Sequence, residues 1–216
     1  MRLSSEKDRI PVTLFKKAAV FHTGSLFSYA DHTHETVLKY IKQAKKQNVF
    51  ISYDPNWRGT RIKDKRTARS RIKALLPRVD LLKLSETDAL GLTGRRSLPY
   101  ALDAIRDISK CEIVVTRGKK GAFYWDGKEQ TAHPAFKVNV VDTIGAGDAF
   151  TAGLIYRYLA KGKEGFRREK RENLAFASAV SALICAGRGA TEGLKNLSQV
   201  ERFLSREKEQ RPLLFP

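Results

Sequence analysis

Gly145-Ala146-Gly147-Asp148 stand between an apolar stretch, Lys137–Val141, that reads as a strand and a helical run, Ala149–Tyr156. Neither glycine carries a Cβ, so the backbone there can approach a ligand closely. The first N–H groups of a helix lack intrahelical acceptors, and the macrodipole adds partial positive charge. Such a helix start is an anion site. An acid at its mouth repels a bound anion unless it has a chemical task. A carboxylate beside N–H donors is what phosphoryl transfer to an alcohol requires: a base for the hydroxyl, and donors for the charge on the transferring group. A plainer reading fits the same residues, with Asp148 capping the helix and the glycines making a turn.

Further loops carry similar chemistry. Asp54-Pro55-Asn56-Trp57-Arg58 leaves an apolar strand, Val49–Tyr53, with a carboxylate, an amide and a guanidinium together. Arg suits bidentate recognition of carboxylate or phosphate, although Asp54 could equally cap a turn and Arg58 lie on the surface. Leu82-Lys83-Leu84-Ser85-Glu86-Thr87-Asp88 ends a strand on acids, which also fits a Ser N-cap with acids in the first helical turn. Thr116-Arg117-Gly118-Lys119-Lys120-Gly121 follows the strand Ile113–Thr116 and, alone, is a weak glycine loop.

The elements that must position these loops alternate. Strands are expected at Ala18–Phe21, which leads into a tight loop at His22–Ser25, and at Val49–Tyr53, Val79–Leu84 and Ile113–Thr116. Helices are expected near Thr33–Lys46, Asp64–Leu76, Thr87–Leu92, Leu98–Ile108, Asn173–Ala186 and Ser198–Ser205. Ala122–Trp125, the turn Asp126-Gly127 and Glu129–Ala132 read as a hairpin. Strands alternating with amphipathic helices argue a mostly parallel α/β sheet covered on both faces. Ligands in such sheets sit beyond the carboxyl ends of the strands, and the loops above all lie at those ends. Their convergence on one edge is therefore expected.

Composition narrows the class. A chain of 216 residues with 42% apolar and 30% charged residues supports one sizeable core, and a single domain over residues 1–216 is the expectation. No apolar run reaches membrane-span length and the N-terminus is too polar for a signal peptide. Cys111 and Cys185 fall in apolar patterns, as reduced, buried thiols would, and the cytoplasm is the expected compartment. A net charge of +18 raises nucleic-acid binding, but no zinc-finger spacing or RNA-binding signature supports it. The basic runs Arg61–Arg71, Lys161–Arg171 and Arg206–Arg211 read as solvated surface.

Asp142-Thr143-Ile144-Gly145-Ala146-Gly147-Asp148 followed by Ala149-Phe150 resembles the signature of the ribokinase-like (PfkB) carbohydrate kinases. The resemblance implies a three-layer ribokinase-like fold and transfer of a phosphoryl group from ATP to a sugar hydroxyl. Asp148 would then be the base, and Gly145, Ala146 and Gly147 the donors to the phosphoryl group. Asp54–Arg58 is similar to a loop of fructokinases and 2-keto-3-deoxygluconate kinases, which implies sugar or phosphate contacts for Asn56 and Arg58. The segment Lys83–Asp88 resembles the family's Lys-x-Asn-x-x-Glu. Ser85 replaces the Asn beside the nucleotide, and Asp88 replaces the Glu that recruits Mg2+ through water. Thr116, Gly118 and Gly121 match its nucleotide loop, and Ser178 a position that often faces adenine, with core packing an equal alternative. A monovalent-cation (K+) site near Asp142 occurs in relatives, and the pattern here is too loose to assign one.

The resemblance covers about residues 18–204 and the latter two-thirds of the family fold. The opening strands, with their sugar contacts and β lid, are not visible before Ala18. A solvent-facing first strand and association into a homodimer through it are expected. The alternatives are a 2-keto-3-deoxygluconate kinase and a non-catalytic nucleotide-binding remnant.

Overall fold

The computed structural model describes residues 10–126 and 130–210. The chain divides into two compact units. One comprises the described residues up to Val114 with Asp126; the other comprises Val115–Trp125 and the described residues from Gln130 on. Six strands are ordered β1-β2-β3-β4-β5-β6 in a mixed sheet, so the α/β class expected from the sequence holds. No helix among the described residues is long and apolar enough to cross a membrane.

In the first unit a short helix α1 (Val12–Phe15) precedes β1 (Val20–Gly24), α2 (His34–Lys46) and β2 (Phe50–Asp54). Then come α3 (Lys65–Leu75), β3 (Leu81–Ser85), α4 (Glu86–Thr93) and α5 (Leu98–Arg106). Strand β4 (Glu112–Thr116) begins in this unit. β1 pairs parallel with β2, and β2 with β3. Every residue of β2 is buried, as a strand covered on both faces requires. Helix α2 buries Val37, Ile41 and Ala44, the spacing of one apolar stripe.

Helix starts are fixed by side chains. The Asp64 carboxylate accepts the Thr67 N–H at 3.0 Å at the start of α3. The Ser85 hydroxyl accepts the Asp88 N–H at 3.0 Å, while Asp88 accepts from the Ser85 N–H at 3.0 Å, a capping box.

The tight loop expected at His22–Ser25 starts later. β1 runs through Gly24, which pairs with Asp54. A Cβ on Gly24 would lie 2.1 Å from the Asp54 carbonyl oxygen, so the glycine keeps the strands paired where a side chain would separate them. The turn begins at Ser25, with φ 51, in a 3-10 segment, Ser25–Ser28. β1 has β2 as its one strand neighbour among the described residues.

In the second unit, β5 (Ala122–Trp125) and β6 (Gln130–His133) form the expected antiparallel pair; Gly127 of the expected turn lies outside the described residues. Helices α6 (Ala146–Arg168), α7 (Lys170–Cys185) and α8 (Leu197–Gln210) follow. Phe136, Phe176, Val180 and Val200 form a core cluster, with Phe203 against it. Helix α6 breaks at Gly162, φ 64 and ψ 178. Beyond the break, Glu169 accepts from Arg157 at 2.6 Å and pairs with Lys161 at 3.2 Å.

Lys137–Val141 is not a strand. Val140 and Val141 are 57% and 53% exposed. The N–H groups of Val141 and Asp142 donate to the Cys185 carbonyl at 2.8 and 3.2 Å, so they serve the C-terminal end of α7 in place of a ladder. Cys111 is buried as expected, but Cys185 is only partly so; both are free thiols.

Candidate active site

The sequence-predicted residues fall in both units, and each group of them is built locally. In the first unit Asp54 closes β2 and is 5% exposed. Its carboxylate accepts from Lys83 at 2.8 Å, an ion pair buried at both ends, and from the Asn56 N–H at 3.0 Å. Those bonds hold Asn56 at φ 44, where the chain turns outward. Arg58 Nε donates to the Asn56 side-chain oxygen at 3.3 Å and is itself exposed. Asn56 and Arg58 therefore act as one unit on a loop anchored by Asp54.

Trp57, 7% exposed, faces the other way. It packs near Tyr29 and beneath Arg69, whose guanidinium lies 5.5 Å from the ring centroid. Burial pushes the Tyr29 phenol up; the charge of Arg58 opposes this and that of Asp88 adds to it. Arg58 and Asp88 thus share the field around one tyrosine.

No partner for Asp54 was expected from the sequence. Lys83 supplies it, and its signal was available: a single cation inside the apolar run Leu81–Leu84 of a two-sided strand must be paired.

Ser85 and Asp88 meet in the capping box, where Asp88 also accepts the Ser85 hydroxyl at 2.6 Å. The helix-cap reading of these residues therefore holds. Among the described residues no three His, Cys, Asp or Glu gather as a metal cage. Mg2+ commonly keeps several waters and takes one or two carboxylates plus substrate phosphates. The donor set here fits only that mode, with Asp88 as an outer, water-mediated contact.

In the second unit Gly145 is the N-cap of α6, with φ 79 in the left-handed region. A Cβ there would sit 2.7 Å from the Ala190 Cβ. Of the N–H groups expected to face an anion, that of Ala146 is turned to the Thr143 carbonyl at 3.2 Å. Those of Gly145 and Gly147 have no acceptor among the described residues. Asp148 stands in the first turn of α6 and is exposed. Its side chain makes no hydrogen bond or ion pair among the described residues, so it does not cap the helix.

Asp142 braces this turn. It accepts from the Ile144 N–H at 3.0 Å and the Gly189 N–H at 2.9 Å, and these bonds hold its carboxyl below the usual range. Ser181 of α7 donates to the Ala146 carbonyl at 3.0 Å. The start of α6 is thus fixed from two sides while its donors stay open.

Thr116 ends β4 and is partly buried. Gly118 opens a 3-10 turn, Gly118–Lys120, at φ 56. Gly121 packs against the backbone of His133 and Pro134 and donates to the Gly118 carbonyl at 2.9 Å, so it seats the loop on β6. Ser178 is 7% exposed within α7.

Comparison with known proteins adds to this geometry. The family described as pfkB family carbohydrate kinase matches residues 2–197. Fructokinase-1 of Zea mays is 33% identical over 203 residues, covering 92% of this chain and 62% of its own length. The chain therefore spans about three-fifths of that relative, whereas a shorter Arabidopsis thaliana relative, 29% identical over 213 residues, is covered in full. A crystal structure of fructokinase from Vibrio cholerae O395, bound to fructose, ADP and calcium, superposes with a TM-score of 0.82 at 28% identity. That match covers 92% of this chain and 63% of the other.

Proposed function

The chain belongs to the pfkB family of carbohydrate kinases, and from that premise we propose that it transfers the γ-phosphoryl group of ATP to a sugar hydroxyl, with a fructokinase-like acceptor. One observation carries the reading: the start of α6 presents acceptor-free N–H groups at Gly145 and Gly147 beside an exposed carboxylate, Asp148, with no structural bond of its own.

Asp148 takes the proton of the acceptor hydroxyl as its oxygen attacks the γ-phosphorus. The N–H groups of Gly145 and Gly147, with Ala146 once its turn bond yields, receive the charge on the transferring oxygens. Asn56 and Arg58 orient the sugar or a phosphate. Ser85, Thr116, Gly118, Gly121 and Ser178 line the nucleotide. Asp88 would hold a nucleotide-borne Mg2+ through water, and the ion would supply neutralisation of phosphate charge. Positioning and electrostatics supply most of the acceleration in such transfers, so loops fixed from below, as Asp54 fixes Asn56, suit the task.

The test is ADP release by the purified chain, in a coupled assay, over fructose, other hexoses, ribose and 2-keto-3-deoxygluconate. Turnover with fructose above the others supports the proposal. Turnover with the keto acid alone moves the assignment to that kinase. ATP binding without turnover on any sugar identifies a non-catalytic remnant.

A further inference from the structure

A second basic feature lies in the first unit, beside the loop after β2. Trp57, Arg58, Arg61, Lys65, Gly91 and Arg95 line an open cleft of about 740 Å³, together with neighbouring loop and helix residues. No carboxylate lines it. Arg61, Lys65 and Arg95 are exposed, and their side chains have no hydrogen bond or ion pair among the described residues. Some basic side chains of the unit do find acids, as Lys45 does with Asp80 at 2.6 Å and Lys83 with Asp54; among the described residues Arg61, Lys65 and Arg95 do not.

Local electrostatics sharpen the point. Lys65 and Arg66 occupy the first turn of α3, where the positive end of the helix dipole disfavours cations. The N-cap carboxylate of Asp64, engaged by the Thr67 N–H, offsets one of these two charges, and the helix start keeps a net positive charge that an anion would relieve.

A separate observation concerns Trp57. Its side chain is buried against α4, but its indole N–H donates to no group among the described residues. Buried indole N–H groups usually find a partner. A Cβ built on Gly59 or Gly91, both in the cleft wall, would meet Nε1 at 2.8 or 2.4 Å. The donor edge therefore lies against two glycines that, like Trp57 itself, line the cleft.

We infer that this cleft binds a multiply charged, phosphate-bearing small molecule. Arg61, Lys65 and Arg95 contact the phosphate oxygens, and the Trp57 N–H donates to one of them. Several cations around a pocket of small-molecule size call for more than one anionic group. Single-stranded nucleic acid would want exposed aromatic faces for stacking, and Trp57 offers only its edge. The inference is independent of Asp148: a catalytically silent chain that still binds phosphate at the cleft leaves it standing.

Trp57 also provides the signal. In a Trp125→Phe background of the full chain, fluorescence is followed during titration with inorganic pyrophosphate, with calorimetry in parallel. Saturable binding is expected. Arg61→Gln/Lys65→Gln/Arg95→Gln should weaken it about tenfold or more, since each 1.4 kcal/mol is a factor of ten. Lys39→Gln/Lys42→Gln/Lys46→Gln, an equal charge loss on exposed positions of α2, should change it by less than about twofold if the effect is local. Arg95→Gln alone keeps the test open should the triple variant not fold. Repeating the series with ADP and with a hexose bisphosphate identifies the source of the phosphates as the compound whose affinity falls in the cleft variant. Absence of saturable binding, or equal loss in both triple variants, overturns the inference. So does binding of an RNA oligonucleotide that needs the cleft residues when pyrophosphate does not bind.

Discussion

Asp148 and His133 show how differently two titratable side chains serve the same unit. Asp148 forms no bond that the fold needs, so its removal tests chemistry alone. Asp148→Asn should lower turnover by about 10²–10⁴-fold, the usual worth of a positioned base, with ATP affinity and melting temperature little changed. Turnover within a few-fold of wild type would remove Asp148 from the mechanism. His133 is 1% exposed, and its Nδ1 lies 2.7 Å from the Pro134 carbonyl, which only accepts, so Nδ1 carries the proton. Burial holds its pKa below the ordinary value; the Pro134 bond opposes this, and the charge of Arg171 adds to it. The unfolded chain therefore binds a proton near pH 6.5 that the folded chain refuses. The stability from neutral His133 is fully present above about 6.5 and is lost as pH falls toward the folded value. Melting temperatures between about pH 8 and pH 5 should fall on the acid side, and less steeply in His133→Gln. An equal slope in that variant would assign the pH dependence to other groups.

At the scale of elements, periodicity located nearly every helix and strand, because one-sided helices and two-sided strands leave different apolar patterns. α2 and β2 are cases where pattern and burial coincide. Lys137–Val141 is an exception to that pattern. Its apolar alternation suits a strand, but its N–H groups go to the end of α7, a choice made by tertiary neighbours. The candidate site was legible in the same uneven way. Glycines and an acid before a helical run announced the start of α6, whereas the support beneath Asn56 rests on Asp54 and Lys83, on neighbouring strands and 29 residues apart. The sequence names both and cannot join them. That pair permits a sharp expectation. Lys83→Met should cost about 3–5 kcal/mol, because it strands a buried carboxylate without its partner, and urea denaturation would measure it. Asp54→Asn/Lys83→Met should recover part of the loss, since replacing both charges is far less costly than removing one. No recovery would mean that the strands depend on the charges themselves.

For the whole molecule, charge and edge work against each other. β1 has a strand neighbour on one side among the described residues, and such an edge invites pairing with a second copy. A net charge of +18 repels that copy. Raising salt shortens the Debye length to about 8 Å at 0.15 M and weakens the repulsion while leaving backbone pairing intact. Sedimentation should therefore show self-association growing from about 0.01 M to about 0.15 M salt, less in a His22→Lys variant that adds charge to the edge. Association that salt dissolves would point to ionic contacts elsewhere. The Asp54–Lys83 pair has one more consequence, in the language of covalent labelling. Many of this chain's lysines sit on the surface and would acylate at once with an amine reagent. Lys83 is 5% exposed and ion-paired with the Asp54 carboxylate, so its amine reacts only while β2 and β3 are apart. The slow modification of that one lysine, followed by peptide mass, would serve as a clock for the opening of the sheet's interior.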